Sequence, residues 1–279
     1  MIAQILCMAD LTWREARRRK IVWAGLGLGS AFIALFCLGL YFVIRDMQRY
    51  LGARDMFLDT GFNFMVMSGF YVINFLGVML AVLASVGAVA GEIGAHTIQP
   101  LVAKPWPRAT LILGKWLGLA GMVASYIVFL CAGITLGVYL LCGYVPPHVV
   151  AGVALMVVQA QVMLALCILG GTRLSTVTNG VVCFMLYGLA FVGSWMEQIG
   201  SVAGNETVVD IGIVSSLLVP SEAMWRMAAF RMQPAVITSM AVTPFAVGTS
   251  PSTAMLIYAL LYTAACLALA VLSFARRDL

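Results

Sequence analysis

The sequence predicts an all-α, polytopic membrane protein with six transmembrane helices and both termini in the cytoplasm. Composition, the length of the apolar runs and the sidedness of the basic residues lead to this class. Of the 279 residues, 63% are hydrophobic and only 10% charged, with a mean hydropathy of +1.03, against roughly 45–50% apolar and about 25% charged in soluble domains. A soluble enzyme is excluded on that ground. In so apolar a chain the formal charge of +5 reports on orientation, and no nucleic-acid partner follows from it.

Six runs are long enough for a spanning helix, which needs about 20 apolar residues: Ile21 to Ile44, Phe64 to Gly91, Leu111 to Cys142, Val149 to Gly171, Asn179 to Met196, and Ala254 to Ala275. Six spans put both termini on one side. That side then holds Arg14, Arg17, Arg18, Arg19, Lys20, Lys104, Arg108, Lys115, Arg173, Arg276 and Arg277, eleven basic residues against five (Arg45, Arg49, Arg54, Arg226 and Arg231) on the other. By the positive-inside rule the richer side is cytoplasmic.

Taken in order, the residues before the first span place Ile2, Ile5, Leu6, Ala9 and Trp13 at helical spacing, with Asp10, Arg14 and Arg17 on another face. An amphipathic helix on the cytoplasmic surface is expected over Met1 to Arg19. A membrane-lying anchor held by anionic lipid and a surface that also touches a cytoplasmic partner are equally open uses. The first span is too long for the short apolar region of a secretory signal and reads as retained. The third run exceeds one upright helix, so its first turn, with Lys115, is expected at the interface or in a tilted helix.

The span centres hold no Asp, Glu, Lys, Arg or His, which argues against an ion-coupled carrier, because such carriers keep ionisable groups within the membrane. Asn74, Gln159, Gln161 and Asn179 are expected to act as interhelical hydrogen-bonders. His96 and His148 fall on opposite sides, and there is no H-E-x-x-H motif or nucleophile elbow, so no catalytic, cofactor or metal site is predicted in this chain. Gly114-Lys115-Trp116 resembles the end of a phosphate loop, but Ala109 and Trp116 stand where that loop needs Gly and Ser or Thr. Seven scattered cysteines form no metal spacing and read as packing residues. Glycines four apart (25/29, 87/91, 114/118, 133/137) predict close helix approach, and Asn205-Glu206-Thr207 reads as a chance sequon.

The loop from Glu92 to Thr110 is unlike a neutral connector. It has a carboxylate at the membrane exit, an apolar stripe of Ile98, Leu101 and Val102, helix-stopping Pro105 and Pro107, and basic Arg108 and Lys115 at the return. Such an element can pass a push from a soluble partner to two spans; the plain alternative is an interfacial turn without a partner. In the outer segment from Glu197 to Thr253, Pro220-Ser221-Glu222 looks like a helix start. Glu222 and Arg226 stand at i and i+4, and Trp225, Ala228, Ala229 and Met232 form an apolar face ending at Pro234. That helix is expected on or dipping into the outer leaflet, where shielding the bundle top is the plainer use and an outer gate the sharper one.

On Glu92, Thr97, Ile98, Gln99, Leu101, Ala103, Lys104, Pro105, Arg108 and Gly114-Lys115-Trp116-Leu117-Gly118, the chain resembles type-2 ABC transporter permeases, in particular the group serving nitrous-oxide-reductase maturation. The basic segment Thr12 to Arg19 and the ending Phe274 to Leu279 agree with the same family. His96, Gly94 and Pro100 depart from its pattern. The resemblance implies a cytoplasmic helix over 1–20 and a six-span permease domain over 21–279, with a coupling loop over 92–110 and a long outer loop over 197–253, in the inner or plasma membrane. It further implies a permease subunit of an exporter, paired with a second copy or a related chain. A separate ATPase would bind ATP and magnesium and contact Glu92, Thr97, Ile98, Leu101, Val102, Pro105, Arg108 and Lys115. Membrane lipid is the remaining partner. The alternative is a membrane scaffold that transports nothing, and co-purification of an ATPase separates the two.

Overall fold

The computed structural model describes residues 2–51, 56–94, 107–234 and 251–277, all helix or short turn. Six helices in it are long and apolar enough to cross a membrane. They are α2 (Lys20–Leu51), α3 (Met56–Ser85, continued after a turn by the short α4, Ala90–Gly94), α5 (Arg108–Cys142), α6 (Val149–Gly171), α7 (Thr176–Ala203) and α10 (Thr253–Ala275). The remaining helices are α1 (Ile2–Arg18) ahead of the first span, and α8 (Glu206–Leu218) and α9 (Ser221–Met232) between the fifth span and the sixth.

The centre is built where α3, α5 and α6 meet. Phe70, Ile73, Ile127, Leu130, Ile134 and Met156 are fully buried there. The first span contributes little to this core, with Trp23, Leu28, Leu35, Leu38 and Phe42 all exposed, as suits a surface facing lipid or another chain.

Both ends of the chain lie on one face, here termed the terminal face. The N-terminal helix α1 packs along the first turns of α5, and Arg108, where α5 begins, donates to the carbonyls of Phe274 and Ala275, where α10 ends. The third span is one unbroken helix of 35 residues, about 52 Å long at 1.5 Å per residue. Its first turns therefore project past the hydrocarbon layer and form the bed on which α1 lies. Gly114 and Gly118 make that bed flat: a Cβ at Gly118 would stand 2.6 Å from the Ala9 carbonyl and 2.8 Å from the Thr12 Cβ. Lys115, expected at the interface or in a tilted helix, is buried within the protein.

The buried stripe of α1 also differs from expectation. It consists of Met8, Ala9, Thr12 and Ala16, with Ile5 and Trp13 half-buried, whereas Ile2 and Leu6 are exposed. The helix has three sectors: one against α5, an adjoining apolar one bearing Ile2 and Leu6, and a charged one with ion pairs Asp10–Arg14 and Glu15–Arg19 at 2.9 and 2.6 Å. Of the five residues expected at helical spacing, Ile5, Ala9 and Trp13 fall on or beside the stripe against α5, and Met8, Thr12 and Ala16 complete it.

The segment between the fifth and sixth spans departs furthest from expectation. Helices α8 and α9 meet at 109°, and their 13 and 12 residues reach only about 20 and 18 Å, too short to cross a hydrocarbon core of about 30 Å. Helix α8 descends along α7. There Gly200 admits Val209, whose amide would be 2.9 Å from a Cβ, and the Ser215 hydroxyl donates to the Leu189 carbonyl at 2.9 Å. The turn at Val219-Pro220 lies among Val78, Val82, Met163 and Cys167, residues within the second and fourth spans. Helix α9 then climbs back, and Met232 fills the space left by the missing side chain of Gly152 near the far end of α6. Asn63 secures that end by donating to the Tyr144 hydroxyl at 2.8 Å and to the Met232 carbonyl at 3.1 Å.

The pair is a re-entrant hairpin, not a cover on the bundle top. Ten of the twelve residues of α9 are buried, Glu222 and Arg226 among them. A turn at this depth needs its backbone polar groups answered by protein: the Val219 amide donates to the Ser215 carbonyl at 3.1 Å, and the Tyr258 hydroxyl donates to the Leu217 carbonyl at 2.6 Å. Pro220 has no amide hydrogen to satisfy.

Candidate functional site

Two polar centres stand out, one at the terminal face and one inside the bundle. At the terminal face α3 stops at Ser85, whose hydroxyl donates back to the Ala81 carbonyl at 2.6 Å, and a turn over residues 86–89 redirects the chain into α4. The break frees carbonyls. Lys115 on α5 takes one of them, donating from Nζ to the Ala88 carbonyl at 2.9 Å, and the same ammonium pairs with Glu92 of α4. A single buried lysine thus joins the end of the second span to the third, as a charge-assisted contact in a low dielectric does well.

Arg108 acts at the other end of the same loop. Its guanidinium donates to the carbonyls of Phe274, Ala275 and Arg277 at 3.4, 3.0 and 2.8 Å, so a cation closes the C-terminus of the last span, where the helix dipole favours it. Arg277 in turn donates to the Thr172 carbonyl, and Arg173 to the Ser273 hydroxyl at 2.9 Å. The residues expected to contact a partner are therefore placed as follows. Glu92, Arg108 and Lys115 are held in intramolecular bonds that fix both flanks of the loop, while Thr97, Ile98, Leu101, Val102 and Pro105 lie outside the described residues.

The inner centre joins two features expected separately, Gln159 as an interhelical hydrogen-bonder and the helix start at Glu222, whose meeting was not anticipated. Glu222, at the start of α9, accepts a hydrogen bond from Gln159 Nε2 at 3.2 Å, and Gln159 is the middle residue of α6. Tyr187 of α7 is a further neighbour of the carboxylate. One turn along, Arg226 pairs with Glu197 of α7 at 2.6 Å, not with Glu222 as the i, i+4 spacing suggested. Gln159 Oε1, Ser221 Oγ and Arg226 Nε are buried without partners, so the network is incomplete where completeness matters most. The absence of charge from span centres thus holds for the spans themselves but not for the bundle interior, because the re-entrant hairpin carries charge in.

In front of Tyr187 an apolar cleft of about 440 Å³ opens between α3 and α7. Aromatic rings dominate its wall: Tyr71 and Phe75 from α3, Phe184, Tyr187 and Phe191 from α7. Phe75 and Tyr187 stand 6.5 Å apart between centroids, and Tyr71 contacts Trp225 of α9 edge-on at 5.6 Å, which ties the cleft wall to the hairpin. Among the described residues no three His, Cys, Asp or Glu side chains are grouped to hold a metal ion. Gly193, Gly200 and Gly212, outside the glycine pairs read from the sequence, line the hairpin's contact with α7, since small residues admit close helix approach.

A family model described as ABC-2 family transporter protein matches residues 8–279. No curated protein matches the chain.

Proposed function

The chain belongs to the ABC-2 transporter family, and on that premise we propose that it is the permease half of an exporter driven by a separate ATPase that docks on the 92–110 loop. It is a multi-pass membrane protein, consistent with the plasma membrane. What carries the docking proposal is the bracing of both loop flanks, by Glu92 with Lys115 on one side and Arg108 with the last span on the other. A loop mounted this way moves the second, third and sixth spans together when pushed, whereas an idle turn needs no such mounting.

The proposal includes the orientation, with the terminal face and its excess of basic residues in the cytoplasm, and the division of the chain into α1 and a six-span domain. It includes a second permease copy or related chain to complete the path, with the exposed first span available to it, and ATP with magnesium held by the partner alone. The finer likeness to the nitrous-oxide-reductase maturation group rests on the residues between Glu92 and Gly118.

The test is co-purification. The tagged chain should bring down an ATPase with a phosphate loop, should hydrolyse no ATP without it, and should lose it when Leu101 and Val102 are both changed to serine at matched membrane levels. Truncating a large apolar anchor at an interface commonly costs more than about 1 kcal/mol. Turnover of ATP by the pure chain, or undiminished ATPase recovery with the double variant, would sink the coupling assignment. If the terminal face lay outside, a cytoplasmic ATPase could not reach the loop and no complex would form.

A further inference from the structure

We propose that the cavity between α4, the turn joining α6 to α7 and the end of α10 is a resident site for the phosphate of an anionic phospholipid headgroup. The inference needs the chain to sit in a membrane but does not need the ATPase coupling, and it concerns a lipid that stays, not one that is moved.

Position is the first ground. The cavity, of about 480 Å³, lies between Gly91 and Gly94 on α4, Arg173 and Thr176 at the turn into α7, and Arg277 just past α10. Each of these elements is the end of a span at the terminal face, so the cavity stands at the level of the headgroups and not among the acyl chains.

Charge is the second ground. Two guanidiniums reach the cavity and no carboxylate lines it; Glu92, on the same short helix as Gly91, is turned to Lys115. Neither Arg173 nor Arg277 has an acidic partner among the described residues. Each is anchored instead on a neutral oxygen, Arg173 from Nε to the Ser273 hydroxyl at 2.9 Å and Arg277 from Nη1 to the Thr172 carbonyl. These bonds tie the turn to the last span and fix both planar forks, while further N–H groups of each remain for another acceptor. Guanidiniums so placed suit phosphate, which they hold bidentately, and basic pockets between span ends are where acidic headgroups settle. The 28-residue helix α7 begins at the cavity's edge and adds the positive end of its dipole.

The remaining lining favours a lipid over a soluble phosphate ligand. On α4 the wall is bare backbone: a Cβ at Gly94 would meet nothing within 4 Å, and one at Gly91 would meet only Thr176 Oγ1, at 3.9 Å. Ile93 and Leu174 supply apolar edges that suit the glycerol and first methylenes of a lipid, and no ring among the described lining residues could stack on a nucleobase. Bound there, the headgroup joins α4, and with it the entry to the 92–110 loop, to the start of the fifth span and the end of the sixth.

The experiment is native mass spectrometry of the full chain in detergent micelles, titrated with dioleoylphosphatidylglycerol or dioleoylphosphatidylcholine and read as the apparent Kd of the first lipid bound. Phosphatidylglycerol should bind at least about tenfold tighter than the zwitterionic lipid, since each basic residue contributes about fivefold. Arg173→Ala with Arg277→Ala should abolish that preference, whereas the charge-matched pair Arg17→Ala with Arg18→Ala, at exposed positions of α1, should keep it. Should the first pair not assemble, Gly91→Leu retains both guanidiniums and puts a side chain into the cavity, and a several-fold loss is expected from it. Inorganic phosphate at equal concentration should displace little of the bound phosphatidylglycerol. Equal affinity for the two lipids, equal losses in the two arginine pairs, or unchanged binding in both Arg173→Ala/Arg277→Ala and Gly91→Leu overturns the proposal; displacement by inorganic phosphate overturns it too, by assigning the site to a soluble anion.

Discussion

The two ionic centres of this molecule use the same residue types in opposite ways. At the terminal face one lysine meets one carboxylate, and the ammonium also captures the Ala88 carbonyl freed by the break in the second span. The charges there balance one to one. On the re-entrant hairpin one arginine serves two carboxylates, and buried polar atoms of Gln159, Ser221 and Arg226 remain unpartnered. The first arrangement is that of a joint, and the second leaves polar groups without partners. A balanced buried pair stabilises a fixed geometry, whereas an unbalanced one is tolerated when something else supplies the missing charge.

The largest effect should come from removing the cation of the unbalanced centre. Arg226→Ala leaves the buried Glu222 and the part-buried Glu197 without a counter-charge, and breaking a buried pair costs about 3–5 kcal/mol. Thermal unfolding in nanodiscs, followed by a thiol-reactive dye at the buried Cys131, Cys167, Cys183 and Cys266, should show a clear loss of stability. Combining Arg226→Met with Glu197→Met and Glu222→Gln should recover much of it, since the triple change removes every charge at once. If the triple variant were as unstable as the single one, packing rather than charge would govern the hairpin.

Next in size is Lys115→Ala, which takes the ammonium away from Glu92 and from the Ala88 carbonyl. Its cost belongs to the same class of about 3–5 kcal/mol but should fall below that of Arg226→Ala, because Glu92 can reach solvent at the terminal face. Lys115→Met with Glu92→Gln should restore stability. The restored double variant should nevertheless transport poorly, because the joint between the second and third spans is gone. Normal transport in that variant would make the pair a packing feature and nothing more.

The contrast also explains what was legible in the sequence. The six spans could be read directly, because a run of about 20 apolar residues has few alternatives, and the terminal-face residues could be singled out because charges at span ends are conspicuous. The hairpin was legible only as a helix start that lies on or dips into the outer leaflet, and its burial was not. Residues Ser221 to Met232 include Glu222, Arg226 and Arg231, a composition that places a helix at the surface when judged alone, and its burial comes from α3, α6 and α7 around it. The i, i+4 spacing of Glu222 and Arg226 suggested a local pair, but tertiary structure supplied Glu197 as a nearer partner. In α1 the interface is made by Met8, Thr12 and Ala16 against glycines of α5, where closeness of backbones replaces size of side chains as the organising quantity.

The smallest expected effect separates two meanings of Arg108. As an element of a docking surface it would bind the ATPase directly; as the structure has it, the side chain closes the last helix by three bonds to the carbonyls of Phe274, Ala275 and Arg277. A cation at a helix C-terminus is worth about 0.3–1 kcal/mol, so Arg108→Ala should barely move thermal unfolding. It should, however, speed amide hydrogen exchange over the last turn of α10, and Arg108→Lys should restore part of the protection because it keeps the charge but not the planar fork. ATPase recovery is the discriminating readout. If Arg108→Ala frays the last turn and recovery falls in proportion, the residue works through the mounting of the loop; if recovery collapses while exchange at the last turn is unchanged, its place is on the docking surface and the capping bonds are incidental.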